Sequence, residues 1–273
     1  MLCLLLTAFV IGAASAAAAG TNPFEESKII GGKTSHVDDA RFMVQVITIE
    51  SRDPKTNLST INICGGTMVS TTHVLTAGHC IVSKDVGKLR IFVGTSDYLA
   101  QGKNGRVVKA KAFRVHPKFT VIRNKDDEYG YFDVAVIRLQ EAVLPSAKTS
   151  AIAITPAGAE PKDGASIEVA GWGIYRRQDI SRKLRRATFK VISRAQCKKY
   201  FGNAFNAQEF CITSGPKSAF CSGDSGGPAF IGNVQYGVVS WGSCGKGKPS
   251  ASVLADLADP QINSFVRKMM RTL

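Results

Sequence analysis

Three short segments of this 273-residue chain contain residue types that suit nucleophilic catalysis. His79 lies in the segment TAGHC, Asp133 opens the apolar run DVAVI, and Ser225 lies among glycines in GDSGGP. A serine hydroxyl is a poor nucleophile at neutral pH, so it needs a base to take its proton and donors to bind the oxyanion. Histidine can be that base, and a buried carboxylate can fix its tautomer. The glycines leave backbone N–H groups free to point at one spot.

Each of these residues, taken alone, also has a structural interpretation. An isolated histidine in a protein is more often structural than catalytic, and His36, His73 and His116 are interpreted in that way. An aspartate that opens a strand is usually a turn residue. The functional interpretation of His79 and Asp133 therefore depends on their occurring together with the GDSGGP segment.

The elements around these segments are predicted to be short strands. Residues 42–49, 89–93, 134–137 and 234–239 are rich in β-branched side chains, and clusters of Gly, Pro, Asn and Asp separate them. Many such runs along one chain predict an all-β barrel or sandwich. Residues 148–163, rich in Ala, Pro, Gly and Thr, predict a connection between two halves, whereas residues 50–60 and 123–131 predict polar surface loops.

One helix is predicted, at the C-terminus. Asp259 can cap it, and Pro260 suits its first turn. Apolar residues then recur at intervals of three and four: Ile262, Phe265, Val266, Met269 and Met270. This single apolar face predicts a helix that packs against the body of the protein.

Composition excludes several classes of protein. Hydrophobic residues make up 44% of the chain and charged residues 21%, which is typical of a globular protein. The 26 glycines and 10 prolines exclude a collagen-like or low-complexity chain. The mean hydropathy of +0.01 does not suggest a membrane protein.

The N-terminus predicts export. Residues 2–12 form an apolar run of the length found in signal peptides, and the Ala-rich stretch after it offers A-x-A cleavage sites, so residues 1–19 are predicted to be a signal peptide. The alternative, a buried N-terminal helix, is disfavoured because the run leads into a Gly-Thr-Asn-Pro turn. No segment reaches the roughly 20 apolar residues of a transmembrane helix, so a secreted, extracellular protein is expected.

Export would also affect the cysteines and a possible glycan. Loss of Cys3 with the signal peptide would leave six of the seven cysteines for disulfides. Asn57 begins an N-x-[ST] sequon, and its glycosylation is left open.

The order His79, Asp133, Ser225, with intervals of 54 and 92 residues, resembles the chymotrypsin-like, trypsin-fold serine endopeptidases. The resemblance runs from Ile29 to the C-terminus and includes the TAGHC and GDSGGP motifs. It implies two six-stranded antiparallel β-barrels with a C-terminal helix, and an active site in the inter-barrel cleft. It also implies that His79, Asp133 and Ser225 form the catalytic triad and that the backbone N–H groups of Gly223 and Ser225 form the oxyanion hole.

The resemblance implies further site residues. Ser240, Trp241 and Gly242 would pair with the substrate backbone by strand addition. The six remaining cysteines would form the disulfides Cys64–Cys80, Cys197–Cys211 and Cys221–Cys244. Six cysteines allow 15 connectivities, so this choice depends on the resemblance.

The segment KIIGG resembles the activation site of the family. Cleavage after Lys28 would free the amine of Ile29, which would fold inward and pair with Asp224, because a buried carboxylate without a partner is costly. Residues 20–28 would then be an activation propeptide, and residues 29–273 the peptidase domain. The precursor is expected to be an inactive zymogen.

Substrate preference is predicted from the pocket residues that the resemblance implies. Ala219 stands at the pocket base, where a preference for Lys or Arg would require an acid. Phe220 is larger than the usual residue, Ser250 stands where Gly is common, and Ser252 where Tyr is common. An uncharged pocket is therefore predicted, with cleavage after apolar residues, either aromatic or small.

The chain departs from the family pattern at two further places, next to the expected catalytic base His79 and in the segment that binds calcium in pancreatic trypsins. Gly78 stands where Ala is common before the catalytic histidine. The segment around Thr95 lacks the paired Glu residues of the calcium-binding loop of pancreatic trypsins. No Cys/His cluster has zinc spacing, and no phosphate-binding or dinucleotide motif occurs. No metal and no cofactor are therefore expected.

The chain has a net charge of +14, and six of its cations are clustered between residues 176 and 186. The six cations of this basic cluster are Arg176, Arg177, Arg182, Lys183, Arg185 and Arg186. They predict either an exosite for an acidic polysaccharide or a solvated loop, and the solvated loop is favoured. Nucleic acid is disfavoured because no recognition motif accompanies the charge. The expected partners are protein or peptide substrates and protein protease inhibitors, and a monomer is expected.

A secreted serine endopeptidase made as a zymogen is the expected function, and the sequence has two alternatives to it. A catalytically weak homologue that acts as a binding or inhibitory protein is the main alternative, since a fold does not determine a function. An esterase of the α/β-hydrolase type is disfavoured because its triad has a different order. The G-x-S-x-G match here also lies inside GDSGGP, in a β-rich half, and not between a strand and a long helix.

Overall fold

The computed structural model describes residues 32–52, 59–81, 85–98, 105–123, 128–176, 179–213, 223–242 and 251–273. The first nine strands are β1 Lys33–Thr34, β2 Met43–Arg52, β3 Ser59–Met68, β4 His73–Thr76, β5 Leu89–Val93, β6 Arg106–Val115, β7 Thr120–Arg123, β8 Glu128–Tyr131 and β9 Ala135–Leu139. The elements that follow are β10 Ala153–Ile154, β11 Ser166–Gly171, β12 Ile174–Arg176, β13 Asp179–Ile180, β14 Arg185–Ile192, α1 Arg194–Phe201, β15 Glu209–Thr213, β16 Pro228–Ile231, β17 Val234–Gly242, β18 Ala251–Asp256 and α2 Pro260–Thr272.

The first half of the chain closes into a barrel. Its six strands pair in the order β2-β3-β4-β9-β6-β5, and every pairing between neighbours is antiparallel. Alternate residues of each strand point inward, and the interior is filled by fully buried branched side chains that include Val44, Val74, Ile91 and Ile137.

The second half forms another barrel. β14, β11, β16, β17, β18 and β15 pair in sequence, and an additional β14–β15 pairing closes the ring. Its core contains Ile167, Phe189, Ile212 and Leu254. Two short strands lie beside this ring, β1 against β14 and β10 parallel to β17. The prediction of two six-stranded antiparallel barrels is confirmed, and strands occur at all four predicted positions.

The predicted connection and the C-terminal helix are both present. Residues 148–163 link the last strand of the first barrel to β11 of the second, with only the short β10 between them. Asp259 caps α2, because its Oδ1 atom accepts hydrogen bonds from the N–H groups of Gln261 and Ile262, both at 3.0 Å. Ile262 and Val266 are fully buried and join the core of the first barrel, so α2 packs against the body as predicted.

Three features of the local structure differ from expectation. Residues 50–60 were expected to be a loop, but residues 50–52 extend β2 and residues 59–60 begin β3. Residues 123–131 were also expected to be a loop, but Arg123 ends β7 and residues 128–131 form β8, and these two strands pair as an antiparallel hairpin. Helix α1 was not predicted because it has only eight residues and one buried side chain. Its signal is a capping box in which Ser193 and Gln196 each accept a hydrogen bond from the other's backbone.

In the part of the chain that the structure describes, no helix is long and apolar enough to cross a membrane.

Candidate active site

His79 lies on a short 3-10 turn, Gly78–Cys80, directly after β4 of the first barrel. A disulfide joins Cys80 to Cys64 on β3 and so fixes the turn to the barrel wall. Gly78 packs against an aromatic ring, because a Cβ atom at this position would lie 3.0 Å from the ring of Phe119. An alanine here would fit only if that ring moved by a few tenths of an ångström.

Asp133 lies between β8 and β9, and only 1% of it is exposed. Its Oδ2 atom is 2.6 Å from Nδ1 of His79, and its Oδ1 atom accepts a hydrogen bond from the backbone N–H of His79 at 2.8 Å. The hydroxyl of Ser240 donates a second hydrogen bond to Oδ2 at 2.6 Å. The carboxylate therefore orients the imidazole, and Ser240 in turn orients the carboxylate.

Two opposing effects set the protonation of Asp133. Burial by itself would raise the pKa of the carboxyl group. The charge of the adjacent His79 and the hydrogen bonds from His79 and Ser240 outweigh burial and hold the pKa below its ordinary value. Asp133 is therefore an anion at neutral pH, which is the state that stabilises an imidazolium beside it.

Ser225 lies in a tight loop before β16, with its side chain half-buried. Its carbonyl accepts a hydrogen bond from Gly65 N at 2.8 Å, which attaches the loop to the first barrel. Gly226 has a φ of 79°, and a Cβ atom there would lie 2.5 Å from the carbonyl oxygen of Gly65. Gly223 has a φ of 96°. Both φ values lie in the left-handed region that favours glycine, so the backbone of the loop accounts for Gly223 and Gly226.

One cleft between the barrels is lined by His79, Asp133, Ser225, Ser240 and Trp241. The hairpin β7–β8 supplies the rest of its wall, and the cleft has a volume of about 350 Å³. Ser240, Trp241 and Gly242 are the last residues of β17, so the predicted substrate-pairing strand borders the cleft. The structure thus brings together the three residues that the sequence selected for catalysis.

Asp224, the predicted partner of the Ile29 amine, is fully buried beside Ser225. Its Oδ1 atom accepts a hydrogen bond from Gly173 N at 2.8 Å. The carboxylate occupies the space where side chains of Gly171 and Gly173 would otherwise lie. Lys28 and Ile29 lie outside the described residues, so their expected roles stay predictions.

The remaining predicted site residues have different outcomes. A disulfide joins Cys197 to Cys211, as it does Cys64 to Cys80. The third expected disulfide and most of the predicted pocket residues lie outside the described part of the chain: Cys221, Cys244, Ala219, Phe220 and Ser250. Ser252 is described: it lies on β18 opposite Gly242 of β17 and is only 3% exposed. Asn57 also lies outside it.

The basic cluster is not one exposed surface. Arg185 is only 2% exposed, and its guanidinium donates to Thr34 Oγ1 at 2.7 Å and to the carbonyl of Gly32 at 3.1 Å. Lys183 pairs with Asp97, and Arg186 pairs with Glu168. Arg182 is exposed, whereas Arg177 and the side chain of Arg176 lie outside what the structure describes. Arg185 was therefore wrongly included, because it anchors the N-terminal strand.

The sequence reasoning did not single out Glu209. It is the first residue of β15, only 1% exposed, and its Oε1 atom accepts a hydrogen bond from Trp241 Nε1 at 2.8 Å. Burial raises the pKa of this carboxyl to about 7. The available signal was an acid directly before the apolar residues Phe210, Cys211 and Ile212, because acids are rarely buried unless they are paired.

Cys64, His79 and Cys80 have candidate ligand atoms within 4.8 Å of one another. The two sulfur atoms are bonded to each other, so neither is available as a thiolate ligand. The chemistry of this donor set therefore does not fit a metal ion.

The chain is similar to known proteins in sequence and in fold. A family model described as Trypsin matches residues 29–259. Trypsin iota of Drosophila melanogaster is 29% identical over 218 residues, which cover 79% of this chain and 78% of that protein. Hypodermin-B of Hypoderma lineatum is 30% identical over 228 residues, which cover 82% of this chain and 80% of that protein. A solved structure described as that of GrC has a TM-score of 0.73 at 22% identity, covers 88% of this chain and 99% of its own, and supports the fold. From the length of the family match and the identity to these relatives, the chain belongs to the trypsin family of serine endopeptidases.

Proposed function

We propose that this protein is a secreted serine endopeptidase that hydrolyses peptide bonds through an acyl-enzyme formed on Ser225. The observation that carries the proposal is the 2.6 Å contact between Asp133 Oδ2 and His79 Nδ1, in a cleft that Ser225 also lines. A nucleophile, a base and a group that orients the base are the three parts that acyl transfer requires.

The reaction follows from these parts. Ser225 Oγ attacks the scissile carbonyl while His79 Nε2 takes its proton, and Asp133 stabilises the imidazolium that forms. The backbone N–H groups of Gly223 and Ser225 bind the oxyanion. The imidazolium then protonates the leaving amine, which breaks the C–N bond and leaves the acyl group on Ser225. Water, deprotonated by His79, then attacks the ester carbonyl. The bond from the acyl carbon to Ser225 Oγ breaks, Oγ takes the proton back from His79, and the carboxylic acid product leaves the free enzyme.

The substrate is proposed to bind as an extended strand along Ser240, Trp241 and Gly242. Protein inhibitors that present an extended segment would bind in the same way. Several relatives carry the name trypsin, but the residue at the base of the predicted pocket in this chain is Ala219. We therefore propose cleavage after apolar residues, because Ala219 offers no counter-charge to Lys or Arg. A peptide library in which Arg substrates dominate the products would overturn this preference.

Activation is proposed to require cleavage after Lys28. Residues 1–19 would be removed on export and residues 20–28 on activation, after which the Ile29 amine would pair with Asp224. The burial of Asp224 next to Ser225 supports this step, because an ion pair formed there would order the oxyanion hole. An acidic-polysaccharide exosite is not part of the proposal, since Arg185 is buried and Lys183 and Arg186 are paired within the protein.

A fluorophosphonate probe with mass mapping tests the mechanism. The precursor, the chain cleaved after Lys28, and the cleaved His79→Ala and Asp133→Asn variants are compared. We expect labelling of Ser225 only in the cleaved chain with His79 intact. In Asp133→Asn a fall in kcat of about 10⁴-fold, as known for this change in the family, is expected. A cleaved, folded chain that is not labelled would instead support the binding-protein alternative.

A further inference from the structure

Glu209 is a buried carboxyl group that contacts the wall of the active-site cleft with one oxygen and a neighbouring loop with the other. Oε1 accepts a hydrogen bond from Trp241 Nε1 at 2.8 Å, and Oε2 accepts one from the backbone N–H of Asn206 at 3.0 Å. Trp241 lines the cleft together with His79 and Ser225. One hydrogen bond therefore links a buried acid to a side chain that a bound peptide would touch.

The position of the indole is also set by aromatic neighbours. The ring of Tyr129, on β8, lies 5.5 Å from that of Trp241, and the ring of Phe201, at the end of α1, packs edge-on at 4.8 Å. Trp241 is only half-buried, so these contacts leave one side of the indole open to the cleft. The hydrogen bond to Glu209 is the directional contact among them, because aromatic contacts tolerate sliding more than a hydrogen bond does.

Neighbouring residues of β17 thus donate to two different buried carboxylates. Ser240 donates to Asp133, and Trp241 donates to Glu209. The pairing of β17 with β18 shifts register between Val239 and Trp241, which is the mark of a bulge. The bulge allows the consecutive side chains of Ser240 and Trp241 both to line the cleft between the barrels. Each of these two residues of the predicted substrate strand donates a hydrogen bond to a buried acid.

We propose that Glu209 is a positioning residue for the peptide substrate, which fixes the Trp241 indole in the cleft wall and makes peptide affinity depend on its own ionisation. This inference rests on the proposed function, since it concerns binding along the same strand. Glu209 does not touch the reacting atoms and acts only through Trp241.

The surroundings of Glu209 support ionisation near neutral pH. Burial raises the pKa to about 7, against the hydrogen bonds from Asn206 and Trp241, which lower it. Among charged groups, Asp133 raises this pKa and Arg194, on α1, lowers it, while Tyr131, on β8, is the other titratable group that Glu209 influences. A carboxylate accepts a hydrogen bond more strongly than a carboxylic acid does, so the indole is held more firmly above pH 7.

Steady-state kinetics of the chain cleaved after Lys28 test the inference. With the chromogenic peptide Ala-Ala-Pro-Phe anilide, we expect KM to fall about fivefold between pH 6 and pH 8, the size of a charge-assisted hydrogen bond relative to a neutral one. Glu209→Gln keeps a neutral acceptor for Trp241, so its KM should be flat over this range. Glu209→Leu removes the acceptor and should raise KM at both pH values. In all three proteins kcat should agree within about twofold, because the triad is unchanged.

Intrinsic fluorescence gives a second measurement that requires no catalysis. The chain has two tryptophans, so the difference between the emission of the wild type and that of Trp241→Phe reports Trp241. This difference should titrate with a midpoint of about 7 and should not titrate when Glu209 is Gln. A Trp241 signal that is indifferent to Glu209→Gln, or a KM profile that this variant leaves unchanged, would overturn the inference. Failure of Ser225 to react with the fluorophosphonate, with the emission still titrating, would instead defeat the proposed mechanism and leave the Glu209–Trp241 link standing.

Discussion

The buried carboxylate of Asp133 makes three hydrogen bonds, which fix its orientation. His79 supplies a backbone N–H and a ring nitrogen, and Ser240 supplies a hydroxyl, so the carboxylate cannot rotate without losing a hydrogen bond. Hydrogen bonds to a charged group contribute about 1.5–3 kcal/mol each. The orientation of the His79 imidazole is therefore a property of the three residues together.

Replacement of Ser240 by alanine tests this arrangement. Loss of one charge-assisted hydrogen bond to the carboxylate should lower kcat/KM about tenfold across the pH profile, because the carboxylate then orients the imidazole less firmly. The pH dependence of kcat/KM is the measurement. Ser166→Ala, which removes an exposed hydroxyl bonded to Lys190, is the matched control and should leave the profile unchanged. An unaltered profile in Ser240→Ala would show that the third hydrogen bond is dispensable.

Two disulfides close loops of similar length, but only one of them holds a turn that lines the cleft. Cys64–Cys80 closes a separation of 16 residues and holds the turn that carries His79, whereas Cys197–Cys211 closes 14 residues and joins α1 to β15. Chain entropy alone gives about 3 kcal/mol of stabilisation to each loop of this length. Their effects on stability should therefore be alike, and their effects on catalysis should not.

Removal of each disulfide by paired Cys→Ala substitutions separates the two roles. Both double variants should lose about 3 kcal/mol in the free energy of unfolding measured with urea. Only the Cys64/Cys80 variant should also lose kcat at a temperature where both proteins remain folded, because only it loosens the His79 turn. Equal losses of kcat would mean that the disulfide next to His79 has no positioning role.

The start of α2 offers a second test at the scale of secondary-structure elements. Asp259 caps the helix through two hydrogen bonds to one oxygen, and the helix buries Ile262 and Val266 against the first barrel. Asp259→Ala should lower the free energy of unfolding by about 1 kcal/mol, while Asp259→Asn keeps an oxygen acceptor and should cost much less. Thermal unfolding of the two variants measures the difference. Similar melting temperatures would show that packing alone holds the helix.

For the whole molecule, buried acids make stability depend on pH. Burial raises the pKa of Glu209 and of Asp256 to about 7. Between about pH 4 and pH 7 the folded chain therefore keeps protons that the unfolded chain has released, and the free energy of unfolding falls as the pH rises through this window. Asp133, His73 and His116 have the opposite effect: their pKa values are lowered, so their contributions to the free energy of unfolding are lost as the pH falls.

Urea unfolding between pH 5 and pH 8 measures the balance. The two raised acids should cost on the order of 3 kcal/mol each over this range. The double variant Glu209→Gln, Asp256→Asn should flatten the decline, since neither side chain can then ionise. A decline of the same slope in the double variant would assign the effect to other groups.

Much of the fold was accessible from the sequence because its signals are local. The β-branched runs, the Asp-Pro start of α2 and its apolar repeat each lie within a few residues, and each predicted element is present. His79, Asp133 and Ser225 could be selected because short motifs surround them. The hairpin β7–β8 and α1 were missed because polar residues dominate both, and their burial depends on neighbours far along the chain.

Only the tertiary structure decided which side chains meet. Barrel closure brings Ser240 to Asp133, Glu209 to Trp241 and Phe119 against Gly78, over separations that no local pattern encodes. It also buries Arg185, which the sequence could only count as one charge of a basic cluster. Residue types and their order indicated the chemistry that this protein can perform, whereas burial and long-range hydrogen bonds decided which side chains lie together in the cleft, because both arise only when distant strands are packed together.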